Sequence, residues 1–557
     1  MCRGSAGDRT ACNTESADSQ GDETMQIQDS IRYRAGGMLA TLGVAGLLSL
    51  TGAAHADTTV RAVMHSALRA LDPVASSATI TRNYGYMVYD TLIGLDAENQ
   101  PKPQMADWEI SDDGLTYTFT LRDGLTWHDG TPVTARDCAA SIKRWSVFDA
   151  GGKLLMSQVD RLDVLDDKRF ALTLSAPFGD TIALLSKPSA VAAFIMPEKV
   201  ASIDPGEPLA NHIGSGPFRF VDAEFQPGVK AVFEKFSDYV PRNEPPTGTA
   251  GSKQVYVDRV EWIHMPDMQT TINAINSGDI DYIERTPFDL LPLVEGNPEV
   301  KVDVLDPLGM VTLGRMNFLQ PPFDDVRVRR AALLAISQKD VMAALVGDPR
   351  YYQTCGSVFG CRNPQTTESG AETLTANGDV EQAKRLLKEA GYKNTPVVIL
   401  QPSDVATLSP QPVVVAQALR KVGFNVELRQ MDWQTLVSQR ASQNSPSEGG
   451  WNLMFTNFTV DSVWSPTVNP TLIATGTQGS WFGWPTDKEL EALRAEYAVA
   501  TTPKKRKSLA EAVQKDALDK VIVIPLGQFQ TVTTWRDSVS DVVTGPVTAF
   551  WGMRKAE

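Results

Sequence analysis

The chain has 557 residues, 42% hydrophobic and 21% charged, and its 52 Lys and Arg against 67 Asp and Glu give a formal net charge of −15. Single cores stop growing at about 250 to 300 residues, so at least two lobes are expected. The acidic balance argues against a nucleic-acid partner, which needs concentrated Lys and Arg, and is compatible with solubility alone or with cationic solutes.

In chain order, Arg32 and Arg34 precede thirteen mostly apolar residues, Met38 to Leu50, and then Ala54-His55-Ala56, an A-x-A pattern that predicts signal cleavage before Asp57. Residues 1–56 are therefore assigned to an N-terminal extension and signal peptide. Met25 would give a signal of ordinary length, and Cys2 and Cys12 would then never reach the mature protein. No later segment approaches the roughly 20 apolar residues that a spanning helix needs, and no cysteine sits at the cleavage boundary. A freely diffusing periplasmic protein without a lipid anchor is expected.

A strand opens the mature chain in TTVRAVMHSA. The stretch YTFTLRDGLTWHDGTPVTARD, Tyr117 to Asp137, alternates Phe119 and Leu121 with Thr118 and Thr120, the period of a half-buried strand. Asp123-Gly124 and Asp129-Gly130 are turn dipeptides, and Thr134 with Asp137 forms a capping box. The order predicted is strand, turn, strand, turn and a helix through Trp145, with Cys138, Ile142 and Trp145 on one face. A hairpin follows, Leu162 and Val164 against Phe170, Leu172 and Leu174. Then come NHIGSGPFRF, broken by glycine and proline, and the amphipathic MQTTINAINSGDIDYIE.

Near PPFDDVRVRRAALLAIS a new unit begins. Asp324 or Asp325 can cap a helix bearing Val328, Ala332, Ala335 and Ile336, Ser337 with Asp340 offers another start, and Asp379 with Gln382 a third, stopped by Gly391. Cys355 and Cys361 in TCGSVFGC read as a disulfide in an oxidising compartment, against a metal pair or free thiols; the next His or Cys is remote. TPVVILQPS, PVVVAQALRKVG, FNVELRQMD and WNLMFTNF then alternate strand, helix, strand, strand. This βαβ order implies a parallel pair, and ligands of such sheets sit beyond the strands' carboxyl ends. Three loops qualify: Gln401 to Asp404, Asp432-Trp433, and Asn457 to Trp464.

In the last of these, Asp461 could hold an ammonium, with Phe458 and Trp464 covering an apolar or cationic surface; the alternative is an exposed Asp capping a local turn. Trp433, Trp481, Phe482 and Trp484 are further aromatic candidates, each as readily core. The histidines His65, His128, His212 and His264 are scattered without metal-ligand spacing, so no metal site and no cofactor are expected, and His128 reads as structural. No G-x-S-x-G, H-E-x-x-H or Walker A loop is present.

The Tyr117–Asp137 block and PPFDDVRVRRA closely resemble the family 5 extracellular solute-binding proteins, which deliver peptides, nickel complexes and similar solutes to ABC importers. The resemblance implies an α/β fold of the type II periplasmic-binding kind, two hinged lobes with an extra subdomain in the first. It assigns 57–96, 210–305 and 527–557 to lobe I, 97–209 to the extra subdomain, and 306–526 to the second ligand-binding lobe. In peptide-binding members the strand before Asp461, including Asn457, offers its backbone to the ligand, and an Asp at the matching place pairs with the ligand's α-ammonium. Thr79 and Tyr84 are implied on the facing side. The surrounding SVWSP departs from those members. A monomer with no catalytic residues is implied, docking on ABC permease subunits and carrying a short peptide or amino-terminated compound. A metal chelate, an opine or a sugar are the alternative cargoes, and a hydrolase or periplasmic chaperone the alternatives of another class.

Overall fold

A computed structural model describes residues 58–374 and 377–556. The expected signal segment, its cleavage before Asp57, the start at Met25, and Cys2 and Cys12 lie outside the described residues. Among the described residues no helix is long and apolar enough to cross a membrane.

One sheet has seven strands in the order Phe218–Phe220, Lys230–Lys235, Arg259–Ile263, Thr59–Val63, Tyr282–Thr286, Val532–Arg536 and Val300–Asp303. Its centre is parallel, Thr59–Val63 lying between Arg259–Ile263 and Tyr282–Thr286. Parallel strands need cover on both faces. Helix Thr79–Val88 brings Tyr84 and Met87 into the large cluster that also holds Val60, Ala62 and Tyr282. On the other face Ile272 and Ile275 of helix Met268–Ser277 meet Val63 and Ile283.

A second sheet has six strands in the order Tyr352–Gln353, Ile524–Phe529, Met310–Met316, Leu453–Thr459, Val397–Pro402 and Val426–Met431. The βαβ unit is present as read: Val397–Pro402 and Val426–Met431 pair in parallel across helix Pro410–Val422, which has proline in its first turn and ends at Gly423 with φ 109°. The three expected caps form, Asp325 on Val326–Ala335, Ser337 on Gln338–Leu345 and Asp379 on Val380–Glu389, each side chain accepting a backbone N–H of the first turn.

The chain passes between the two sheets through residues 304–309 and again at 530–531. The second passage comes a few residues after the expected 526–527 junction, because Gln528 and Phe529 still pair with Val311 and Met310.

A four-stranded antiparallel sheet of Ala106–Ile110, Thr116–Leu121, Arg169–Leu174 and Val159–Val164 packs with helix Ala135–Phe148, where Cys138, Ile142 and Trp145 are fully buried. The Asp137 carboxylate accepts the Thr134 N–H and hydroxyl. The second strand expected within Tyr117–Asp137 does not form. Thr126 and Pro132 make one isolated bridge around the Trp127–Gly130 turn, and the His128 N–H leaves to bond Gly214 O instead. The glycines of NHIGSGPFRF also permit its close approach to the end of helix Thr79–Val88: a Cβ on Gly214 would stand 1.8 Å from Val88 O. His128 is structural, its Nε2–H donating to Gly216 O and its Nδ1 accepting the Gly214 N–H; burial pulls its pKa down to about 4.

Cys355 and Cys361 are joined in a disulfide, and Cys138 is a free thiol that burial pushes upward. A fully buried pair, Lys253 Nζ to Asp90 Oδ1 at 2.7 Å, ties together segments distant in sequence, Tyr239 and Gln104 also donating to Asp90. Removing one member of a buried pair strands the other charge. Lys253→Ala is expected to cost about 3 to 5 kcal/mol in urea denaturation. Lys102→Ala, which breaks a half-exposed pair with Asp96, costs less than about 1 kcal/mol.

Candidate functional site

The carboxyl ends of the parallel strands in the two sheets face each other. From the six-stranded side, Arg440 reaches Ser77 Oγ at 3.3 Å, just before helix Thr79–Val88. Trp464 packs against the cluster beneath the seven-stranded sheet. His264, after strand Arg259–Ile263, has Asp404 among its electrostatic neighbours, and Asp461 has Arg82.

Asp461 sits in a short turn, Val460–Ser462, directly after strand Leu453–Thr459. It is only 2% exposed and its Oδ2 meets no protein group among the described residues, so it is not the solvated turn cap that the sequence left open. Burial pushes its carboxyl up to about 7. The Arg82 guanidinium and a hydrogen bond from Thr459 hold it back, and the Asp306 carboxylate adds to the rise. A buried acid with an unmet oxygen is poised to take a cation or keep a proton.

Aromatic groups gather beside it. Phe458 meets Trp481 edge-on at 5.6 Å and Trp481 meets Phe482 at 5.3 Å. Trp433, Trp481 and Phe482 surround the Arg440 guanidinium, the last at 4.5 Å. Two arginines that sequence reading passed over fix this wall. Arg315, fully buried on strand Met310–Met316, donates to the carbonyls of Thr471 and Ile522 and, in the GSWFGWP loop, of Trp481 and Phe482. Neither arginine lies in a motif, and their partners are remote in sequence.

The other expected residues divide. Asn457 is partly buried, its Nδ2 donating to Thr407 O while its Oδ1 stays unmet. Asp404 accepts the Trp433 N–H, joining two of the three predicted loops, and Asp432 caps a helix, Trp433–Gln439, that was not expected. Trp484 is core, against Trp451. Thr79 begins helix Thr79–Val88 and is partly buried. Tyr84 is corrected: it is buried in the first sheet's aromatic core against Phe220 and Phe233, because residues five apart on a helix point away from one another. The groups that share Thr79's face are Arg82, one turn on, and Tyr86, and both are electrostatic neighbours of Asp461.

Residues 100–480 match the family model described as bacterial extracellular solute-binding proteins, family 5 middle. A Sinorhizobium fredii protein named a probable peptide ABC transporter periplasmic-binding protein is 41% identical over 520 residues, 93% of this chain and 97% of the relative. Two solved structures align with TM-score 0.75. One is an Agrobacterium tumefaciens binding protein holding agropinic acid, 21% identical and covering 90% of this chain and 99% of its own. The other is a Pseudoalteromonas dipeptide-binding protein holding Met-Leu, 18% identical over 89% of this chain and all of its own. The fold is that of the type II periplasmic binding proteins.

In the unligated protein the folded state keeps the Asp461 proton to about pH 7, whereas the unfolded chain releases it near 3.8, so stability falls as pH rises between them. Asp461→Asn is expected to become progressively more stable than the wild type from about pH 4 to pH 7, by up to about 4 kcal/mol. Urea melts across that range measure it, and a pH-independent difference would show that the carboxyl titrates ordinarily.

Proposed function

This chain belongs to the bacterial extracellular solute-binding proteins of family 5, and we propose that it is the periplasmic substrate-binding component of an ABC transporter. Its cargo on this reading is a short peptide or another amino-terminated compound. The observation that carries the proposal is Asp461: a buried carboxylate oxygen without a protein partner, beside an aromatic wall, at the carboxyl end of a strand. An ammonium completes that oxygen, Phe458, Trp464, Trp433 and Trp481 cover the ligand body, and Asn457 with the strand backbone pairs with its amides. The relative's peptide-transport name supports the same cargo.

The two sheets serve as two lobes, 57–96, 210–305 and the C-terminal residues forming the first, 97–209 the extra subdomain and 306 onward the second. They close by rotation about 304–309 and 530–531, two passages short enough to act as hinges. The ligand favours the closed form only by what it gains there, and the closed form docks on the permease. The protein works as a monomer, exported by cleavage before Asp57, and releases its cargo chemically unchanged.

Below pH 7 an ammonium ligand must displace the Asp461 proton, while the α-amino group, with an ordinary pKa of about 8, stays charged. Affinity for a bound peptide is expected to fall roughly tenfold per pH unit from pH 7 to pH 5, with proton release visible in calorimetry in buffers of different ionisation enthalpy. Asp461→Ala weakens that peptide by two or more orders of magnitude. Unchanged affinity, or recovery of a chemically altered peptide, refutes the reading.

A further inference from the structure

Asp180 stands immediately before helix Thr181–Ser186, where an Asp commonly accepts a backbone N–H of its own first turn. Here no such bond forms. Both carboxylate oxygens turn instead to residues 287 and 326 positions away, Oδ2 accepting the Thr467 hydroxyl and Oδ1 the Arg506 guanidinium. Asp180 is 1% exposed and Thr467 3%. Beside it Gly179 donates its N–H to Ala498 O at 3.0 Å, and a Cβ there would stand 2.9 Å from Ala500 O, so the two segments meet backbone to backbone. Phe178 shares an apolar cluster with Val468 and Ala498.

The receiving side is built without Asp180. Arg506 lies over the Tyr497 ring at 4.1 Å and donates to Tyr497 OH at 2.8 Å and to Ala500 O at 3.2 Å, contacts that stay within residues 497–506 and keep the guanidinium aimed. The segment 97–209 that carries Asp180 is fixed elsewhere. Phe194–Ile195 pairs with Asp90–Thr91, Arg144 Nη2 lies 2.6 Å from Asp72 Oδ2, and His128 Nε2–H donates to Gly216 O. All three partners belong to 57–96 or 210–305. Rotation about 304–309 and 530–531 then carries Asp180 with the seven-stranded sheet and parts it from Arg506. Without the Asp180 carboxylate, Arg506 would keep a half-buried charge unpaired in the closed arrangement and return to water on opening. The penalty falls on closure and not on folding.

We propose that Asp180 and Arg506 form a latch through which the extra subdomain holds the two lobes closed, both acting as positioning residues that touch no ligand. The inference rests on the two-lobe, hinged reading and gives the extra subdomain a task within it. The latch supplies part of the closing free energy whatever the cargo, so its loss lowers affinity for every ligand by one common factor.

The test needs no ligand. Spin labels on Asp163→Cys in the extra subdomain and Glu381→Cys in the second lobe, both exposed positions, report the separation of the two parts in the free protein by pulsed electron spin resonance. The wild type is expected to show a short-separation population matching this structure. Asp180→Ala and Arg506→Gln, which break the latch from opposite sides, are each expected to lower the ratio of short to long separations about 10- to 100-fold. Asp180→Asn, which can still accept from Thr467, has a smaller effect, and Lys505→Ala, which breaks an exposed pair with Glu496 on the neighbouring helix, has none. Urea midpoints of the latch variants stay close to wild type, since opening re-solvates the orphaned group. A merely structural pair would lower the midpoint and leave the separations alone. Superimposable separations in wild type and both latch variants, or a wild type without the short population, overturn the latch. Two populations in an unchanged ratio leave the hinge standing, whereas one narrow separation in every protein removes the hinged reading as well.

Discussion

An acid held out of water with one oxygen unmet is the constraint around which this molecule is arranged. Asp461 reaches that position because strand Leu453–Thr459 is interior to its sheet, paired along its length with Met310–Met316, so the turn that follows cannot escape to the surface. A buried carboxylate without donors is costly, and the protein leaves it partly protonated near neutral pH instead of supplying a partner. On the proposed reading, the energy of completing that oxygen is left to the ligand.

The surroundings are built to keep the position rigid. Arg315 spends its donors on four carbonyls and fixes the GSWFGWP loop, so Trp481 and Phe482 stand beside Phe458 without needing to be packed into the core. Arg440 lies among three aromatic rings and reaches across to Ser77. Its guanidinium is stabilised by ring faces and not by a carboxylate, which leaves the local negative charge to Asp461 and Asp306.

The same economy governs the opposite side. Glu284, His65, Asn83 and Thr548 close a buried network that holds the ends of two parallel strands in register, and Arg82 is braced by carbonyls from two distant segments. The acceptors of Arg82 are all neutral, and Asp461 is among the groups its charge acts on. The chain itself passes between the sheets at 304–309 and 530–531, and on the proposed reading those passages are the hinges of closure.

The sequence by itself determined the elements whose causes are local. The caps at Asp325, Ser337 and Asp379, the βαβ unit, the turn after Gly423, the Cys355–Cys361 pair and the placement of Asp461 after a strand all follow from neighbours a few residues apart. Tertiary structure decided what depends on remote partners. It turned the strand expected after Gly124 into a single bridge, because the His128 backbone bonds Gly214 O. It sent Tyr84 and Tyr86 into the core, and it assembled the Arg315 and Arg440 environments from segments far apart in the chain. Periodicity reports which face of an element is apolar. It does not report which distant charge will stand opposite, since that is set by how two sheets come together.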